Sequence, residues 1–148
     1  FLNEKSCTSM EYIKQLLQGK FPAAPKFSVM ISHVKDIARA HVLSLANKRA
    51  GGRRLIVGSE VRSILELSKI MAENLPSHAK KLPKKELPNF MVKLLSYIDT
   101  SAKNLVPDLG LTMQTDQTYA EEILQMKFLP SETAVVDAAK SVVRLKLA

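Results

Sequence analysis

The chain has 148 residues, 46% hydrophobic and 24% charged, an ordinary balance for a globular protein with a sizeable core. No stretch approaches the roughly 18 consecutive apolar residues of a membrane-crossing helix, and a single cysteine, Cys7, excludes an internal disulfide and predicts a reducing, cytoplasmic setting. The net charge of +8 invites a nucleic-acid reading, but the densest basic group, Lys80-Lys81 with Lys84-Lys85, is broken by Leu82-Pro83 and closed by Glu86; with no Trp and 5% aromatic residues, no base-stacking strand exists and no specific nucleic-acid partner is expected.

In chain order, the spacing predicts a first helix over about Met10 to Gln18. Ser9 stands at its cap, Tyr12, Ile13, Leu16 and Leu17 form its apolar stripe, and Gly19 takes the left-handed turn at its end. Phe21-Pro22-Ala23-Ala24-Pro25 cannot continue a helix and reads as an extended connector. A short strand over Phe27 to Ile31 leads into a helix from Val34 to Ala46, with Val34, Ile37, Ala38, His41, Val42 and Leu45 on its expected buried face. Gly51-Gly52 interrupts the chain before a strand over Arg53 to Val57. Ser63-Ile64-Leu65-Glu66 is a capping-box pattern opening a helix to about Asn74.

Pro76, Pro83 and Pro88 punctuate the next stretch. Leu82 is a short-strand candidate, and Pro88 opens a helix to about Ile98 presenting Phe90, Met91, Leu94, Leu95 and Ile98. Asp99 to Leu109 reads as helical in pieces, and Leu111 to Met113 as a short strand. Asp116 caps a helix through Leu124. Ser131 caps a last helix to about Leu145, with Ala134, Val135, Ala138, Ala139, Val142 and Val143 buried. Met71, Met91 and Met113 read as core fillers.

Motifs for chemistry are missing. Tyr12, Tyr97 and Tyr119 are followed four residues later by Leu16, Ser101 and Ile123, so there is no Tyr-x-x-x-Lys pair. The five glycines make no G-x-G-x-x-G turn. His33, His41 and His78 lack metal-ligand spacing, so no metal site is expected, and His41 reads as a hydrogen-bonded core histidine. No catalytic residue is nominated. Helices alternating with strands predict an α/β chain. The Leu55-Ile56-Val57 run suits a parallel sheet, but the chain supplies few neighbours for it.

The order of several segments carries a resemblance. Ser9-Met10-Glu11-Tyr12-Ile13-Lys14-Gln15-Leu16-Leu17-Gln18-Gly19-Lys20, His33-Val34-Lys35-Asp36-Ile37-Ala38-Arg39-Ala40-His41, Gly52 to Ser59, Ile64 to Ile70, Leu87-Pro88-Asn89-Phe90, Val106-Pro107-Asp108-Leu109-Gly110 and Ala138 to Arg144 resemble, in sequence, the C-terminal half of an extended short-chain dehydrogenase/reductase. The likeness is to the dihydroflavonol-4-reductase-like, NAD-dependent epimerase/dehydratase kind. The resemblance implies a helix-rich C-terminal part of a Rossmann-type fold with few short strands and most of the parallel sheet missing. Residues 1–148 then form a single substrate-lobe region without the nucleotide-binding half. It implies reduction of a carbonyl substrate (an aldehyde, or a dihydroflavonol-like molecule) by NADP(H) or NAD(H) in an intact parent, with no cofactor held by this chain alone. Ser9 matches a serine near the dinucleotide, where a hydroxyl and free helix N–H groups suit phosphate oxygens. Near Gln125-Met126 the family has Gly-Trp or similar, so this turn departs from its pattern.

Phe1-Leu2-Asn3-Glu4-Lys5 has no initiator Met and no signal-peptide order, so the chain is expected to begin partway through a longer parent. The other expectation is a non-catalytic interaction module: Arg53 to Val57 should pair poorly within the chain, and its open edge invites self-association.

Overall fold

A computed structural model describes residues 8–97, 103 and 106–148. Its elements are α1 (Thr8–Leu17), β1 (Ala24–Pro25), β2 (Ser28–Ile31), α2 (Val34–Ala46), a 3-10 turn (Lys48–Ala50), β3 (Glu60–Ser63), α3 (Ile64–Asn74), β4 (Glu86–Leu87), α4 (Asn89–Leu95), a second 3-10 turn (Val106–Asp108), α5 (Thr118–Leu124) and α6 (Ser131–Arg144). They fall into two compact units. One comprises 1–28, 63–112 and 135–148, the other 29–62 and 113–134.

In the first unit α1 buries Ile13, Leu16 and Leu17, as its stripe predicts. Its end is closed by two backbone bonds, Gly19 N–H to Leu16 O (3.0 Å) and Lys20 N–H to Gln15 O (3.0 Å), with Gly19 at φ +75°. This Schellman arrangement satisfies carbonyls that the last turn would leave open. The helix includes Thr8, so Ser9 lies inside its first turn and is exposed, rather than standing at the cap. The extended connector continues into β1, which pairs in parallel with β4 in the register Ala24↔Glu86 and Pro25↔Leu87. Pro25 lacks an N–H, and the amide of Ala24 carries the bond to Lys85 O at 2.9 Å. The strand expected at Leu82 forms four residues later, and Leu82 is itself a buried bend residue.

The capping box at α3 forms as the sequence predicts. Ser63 Oγ accepts from Glu66 N–H (3.2 Å), and Glu66 Oε2 accepts from Ser63 N–H (2.7 Å). Ile64, Leu67 and Met71 are buried, and the buried Ser68 hydroxyl is satisfied by Ile64 O at 2.9 Å. Tyr12 meets Phe27 edge-to-face, with ring centroids 6.3 Å apart. α4 buries Val92 but leaves Phe90, Met91 and Leu94 exposed; Ile98 lies outside the described residues. Met91 and Met113 are therefore surface residues, and only Met71 of the three fills a core. Leu111 to Met113 makes no strand. α6 buries Val135, Val136, Ala139 and Val142.

The second unit overturns one expectation about a face. α2 runs over the predicted residues, Val34–Ala46, but buries the opposite side: Asp36 and Ala40 are buried, whereas Val34 is 72% exposed, Val42 67% and Leu45 89%. Both sides carry apolar residues. The core that decides between them is Ala40 with Ile123, Leu124 and Met126, against which Leu43, Ala50, Leu55, Val57 and Phe128 pack. His41 is thus exposed and bonded to Ile37 O (2.7 Å), not a core histidine.

β2 pairs with β3 at Glu60–Ser63, and the expected strand over Arg53 to Val57 has no regular secondary structure. Strand formation requires a neighbour to complete its ladder, and none of the described residues completes one here. Val57 O accepts from Ser32 Oγ (2.6 Å), and a Cβ at Gly58 would come within 2.6 Å of Met30 Sδ. A side chain at position 58 would therefore require the Met30 side chain to shift.

Candidate functional site

Ser9 sits on the exposed first turn of α1, where early-helix N–H groups lack intrahelical acceptors. A hydroxyl beside such donors can receive a phosphate oxygen. Cys7 precedes it and lies outside the described residues.

His33 is buried as the cap of α2, its Nδ1 accepting from Lys35 N–H at 3.1 Å. His41 and His78 reach only Ile37 O (2.7 Å) and Ser77 Oγ (3.0 Å), and among the described residues neither is hydrogen-bonded to a carboxylate. No group of three metal-ligating side chains occurs among the described residues.

One polar cluster stands apart from the sequence expectations. On β3, Arg62 holds Glu60 through its guanidinium (2.6 Å) and donates from Nε to Ser131 Oγ (3.0 Å); the Ser131 hydroxyl donates to the same Glu60 carboxylate. The Ser131 hydroxyl, followed by Arg62, holds the Glu60 carboxyl below the usual carboxylate range. An ionised, doubly held carboxylate is a poor acid at neutral pH, and the cluster joins β3 to the start of α6. Residues 60, 62 and 131 carry no local signal that they meet, because the pairing spans about 70 residues of sequence.

A buried carboxylate, Asp36, accepts the amide of Leu129 (2.8 Å) while standing in the first turn of α2. Its helix-start position is legible in the sequence, but its partner across the unit is not.

Cavities are shallow. An open groove of about 430 Å³ runs along Thr118, Glu121, Glu122, Gln125, Met126 and Lys127, and a smaller one of about 290 Å³ between Leu43, Asn47 and Ile123. Neither includes Ser9. Lys127 pairs with Glu121 (3.5 Å) across the first. The N-cap of α5 is Gln117 rather than the expected Asp116, which stands one residue earlier and accepts from Thr118 N–H (2.9 Å). At its end, Gln125 adopts φ 48°, ψ 45°. This is where the resemblance expects a glycine, and a side chain in this left-handed region costs about 1 kcal/mol. Gln125→Gly is therefore expected to raise stability by about 0.5–1 kcal/mol, read as an upward shift of the urea midpoint at constant slope.

No family model matches the sequence, and no curated protein matches it. Solved structures do match in three dimensions. Gre2 from Candida albicans is 22% identical, with a TM-score of 0.70 over 98% of this chain and 40% of that one. Yeast methylglyoxal/isovaleraldehyde reductase Gre2 complexed with NADPH is 19% identical, with a TM-score of 0.65 over 98% and 43%. The crystal structure of gox2253 is 19% identical, with a TM-score of 0.72 over 95% and 45%. The chain thus spans 40–45% of the length of these three proteins. At such identities the likeness is one of fold. The chain is α/β, rich in helix with short strands, and shares the architecture of part of a Rossmann-type reductase. Among the described residues, no helix is long and apolar enough to cross a membrane.

Proposed function

We propose that the chain is the C-terminal substrate lobe, one region over residues 1–148, of a cytoplasmic NAD(P)-dependent oxidoreductase of the extended short-chain dehydrogenase/reductase family, dihydroflavonol-reductase-like in kind. The observation that supports this most is the coverage. Nearly all of the chain, 98%, superposes on a reductase solved with NADPH but on only 43% of its length. The intact parent reduces a small carbonyl compound with NADPH. Ser9 lies beside the cofactor phosphates, and this chain contributes walls of the substrate pocket, while the hydride-transfer machinery belongs to the remaining part.

The lobe alone is inactive in this reading. Protonation of a carbonyl oxygen needs a positioned acid, the 148 residues contain no Tyr-x-x-x-Lys pair, and neither His41 nor His78 is hydrogen-bonded to a carboxylate among the described residues. Purified chain is expected to oxidise no NADPH above background with methylglyoxal or isovaleraldehyde. Saturable turnover would overturn the assignment of a non-catalytic lobe. Sequencing the coding region upstream of Phe1 tests the rest: a Gly-rich strand–turn–helix followed by Tyr-x-x-x-Lys is the expected result, and an upstream region without them would refute it.

A further inference from the structure

The first unit carries an apolar patch on α4 with a cationic border. At about 100° per residue, Phe90, Leu94 and Tyr97 fall on one side of the helix and its closing turn, with Met91 flanking them. Val92 stands opposite and is buried. Phe90 is 70% exposed, Leu94 66% and Tyr97 88%. Leu111, also exposed, lies beside the start of α4: the neighbouring Gly110 N–H donates to Lys26 O (2.7 Å), and a Cβ at Gly110 would stand 3.2 Å from Asn89 Nδ2. Large apolar side chains gathered at one element, two of them aromatic, exceed the scattered singles of an ordinary surface.

Charge identifies what fits. Lys93 stands on α4 itself, about 60° round the helix from Phe90. The register Pro25↔Leu87 sets exposed Lys26 next to the start of α4, and exposed Lys84 and Lys85 lead into the same β4. None of these four lysines is ion-paired among the described residues, and they outnumber the nearby exposed acids Glu86 and Asp108. We propose that α4 and its cationic border form a docking surface for an anionic phospholipid bilayer. The apolar side chains enter the boundary between headgroups and acyl chains, and the lysines meet the lipid phosphates and carboxylates. Tyr97 suits that depth, with an apolar ring and a polar tip. Seven residues of helix rise about 10 Å, so α4 lies in the interface plane rather than crossing it. A second copy placed symmetrically here would set the lysines against their own counterparts. A folded partner of standard size needs about 800 Å² of shaped surface per side, more than one two-turn helix offers. The surface goes beyond the reductase reading and does not depend on it.

The test is flotation of the complete chain with lipid vesicles. Vesicles of phosphatidylcholine with about 30% phosphatidylserine should bind the chain at least about tenfold more tightly than phosphatidylcholine alone. Phe90→Ser with Leu94→Ser should weaken binding to the anionic vesicles at least about tenfold; both side chains are exposed, so the unit's own core is untouched. Lys84→Glu with Lys93→Glu should also weaken it, by less at high salt. Val42→Ser with Leu45→Ser, on the exposed side of α2, should leave it unchanged. No binding to the anionic vesicles, or equal binding to the two compositions, would overturn the proposal. So would binding that survives the Phe90 and Leu94 changes, which is then the pull of the +8 net charge alone. Loss of binding in the α2 variant would do the same, because the surface would lie elsewhere. Sedimentation of the lipid-free chain as a dimer that Leu94→Ser dissociates would also overturn it, since the face would then belong to a second copy.

Discussion

Leu17→Ala is expected to destabilise the chain by about 3 kcal/mol, in the middle of the range for a fully buried leucine that leaves a cavity. Leu17 closes the apolar stripe of α1 and, like Leu16 beside it, is 0% exposed. Its backbone lies just before the Gln18–Lys20 turn, whose bonds to Lys14, Gln15 and Leu16 hold the helix end in place. With the backbone pinned, the surrounding side chains have little freedom to collapse into the space of the lost methyl groups, so the cavity term persists. At this chain length the loss lowers the thermal midpoint by about 6–12 °C. The urea midpoint should fall at unchanged slope. The paired control is Leu45→Ala, which replaces the same side chain on α2. Leu45 is 89% exposed, and its truncation should change stability by no more than about 0.5 kcal/mol. Comparable losses at the two positions would mean that the face of α2 bearing Leu45 is buried, against the structure.

Asp36→Ala is expected to cost about 2 kcal/mol, through a polar mechanism rather than a cavity. The carboxylate is buried and accepts the Leu129 amide at 2.8 Å, so its removal leaves that donor without a partner. It also removes a negative charge from the first turn of α2, where the helix dipole favours one. Asp36→Asn keeps an acceptor oxygen in place and should recover more than half of the loss in the same denaturation series. If Asn and Ala were equally destabilising, the charge at the helix start would outweigh the bond to Leu129. If neither mattered, the link between α2 and the segment after α5 would contribute nothing to stability.

The elements that the sequence predicts well are those whose signals and partners lie within one turn of each other. The Ser63–Glu66 box places the start of α3 because both reciprocal bonds span three residues. Gly19 marks the end of α1 because the left-handed turn it permits is decided by its own backbone. The limits of α2 are equally local: His33 accepts from Lys35 N–H, and Asn47 follows the last turn. The resemblance to an extended short-chain reductase was also readable, as an order of short segments, and the shared fold agrees with it at the level of architecture.

The errors lie where the deciding partner is remote. α2 carries apolar residues on two sides, Ala40 and Leu43 on one and Val34, Val42 and Leu45 on the other, and its larger stripe is the exposed one. Periodicity measures how apolar a face is, not whether a neighbour exists to cover it. Arg53 to Val57 has strand composition and no strand, because a ladder needs a second chain segment whose position composition cannot specify. The reverse holds for Ala24 and Pro25, which pair with Glu86 and Leu87 across some 60 residues despite reading as a connector. By itself, then, the sequence determined where most of the helices lie, the capping box of α3, and that these 148 residues hold no Tyr-x-x-x-Lys pair. Only the tertiary structure decided which face of α2 is buried, which extended segments pair, and that Glu60, Arg62 and Ser131 meet. Each of those depends on bringing distant residues together, and the loop closure this requires leaves no mark within a local window of sequence.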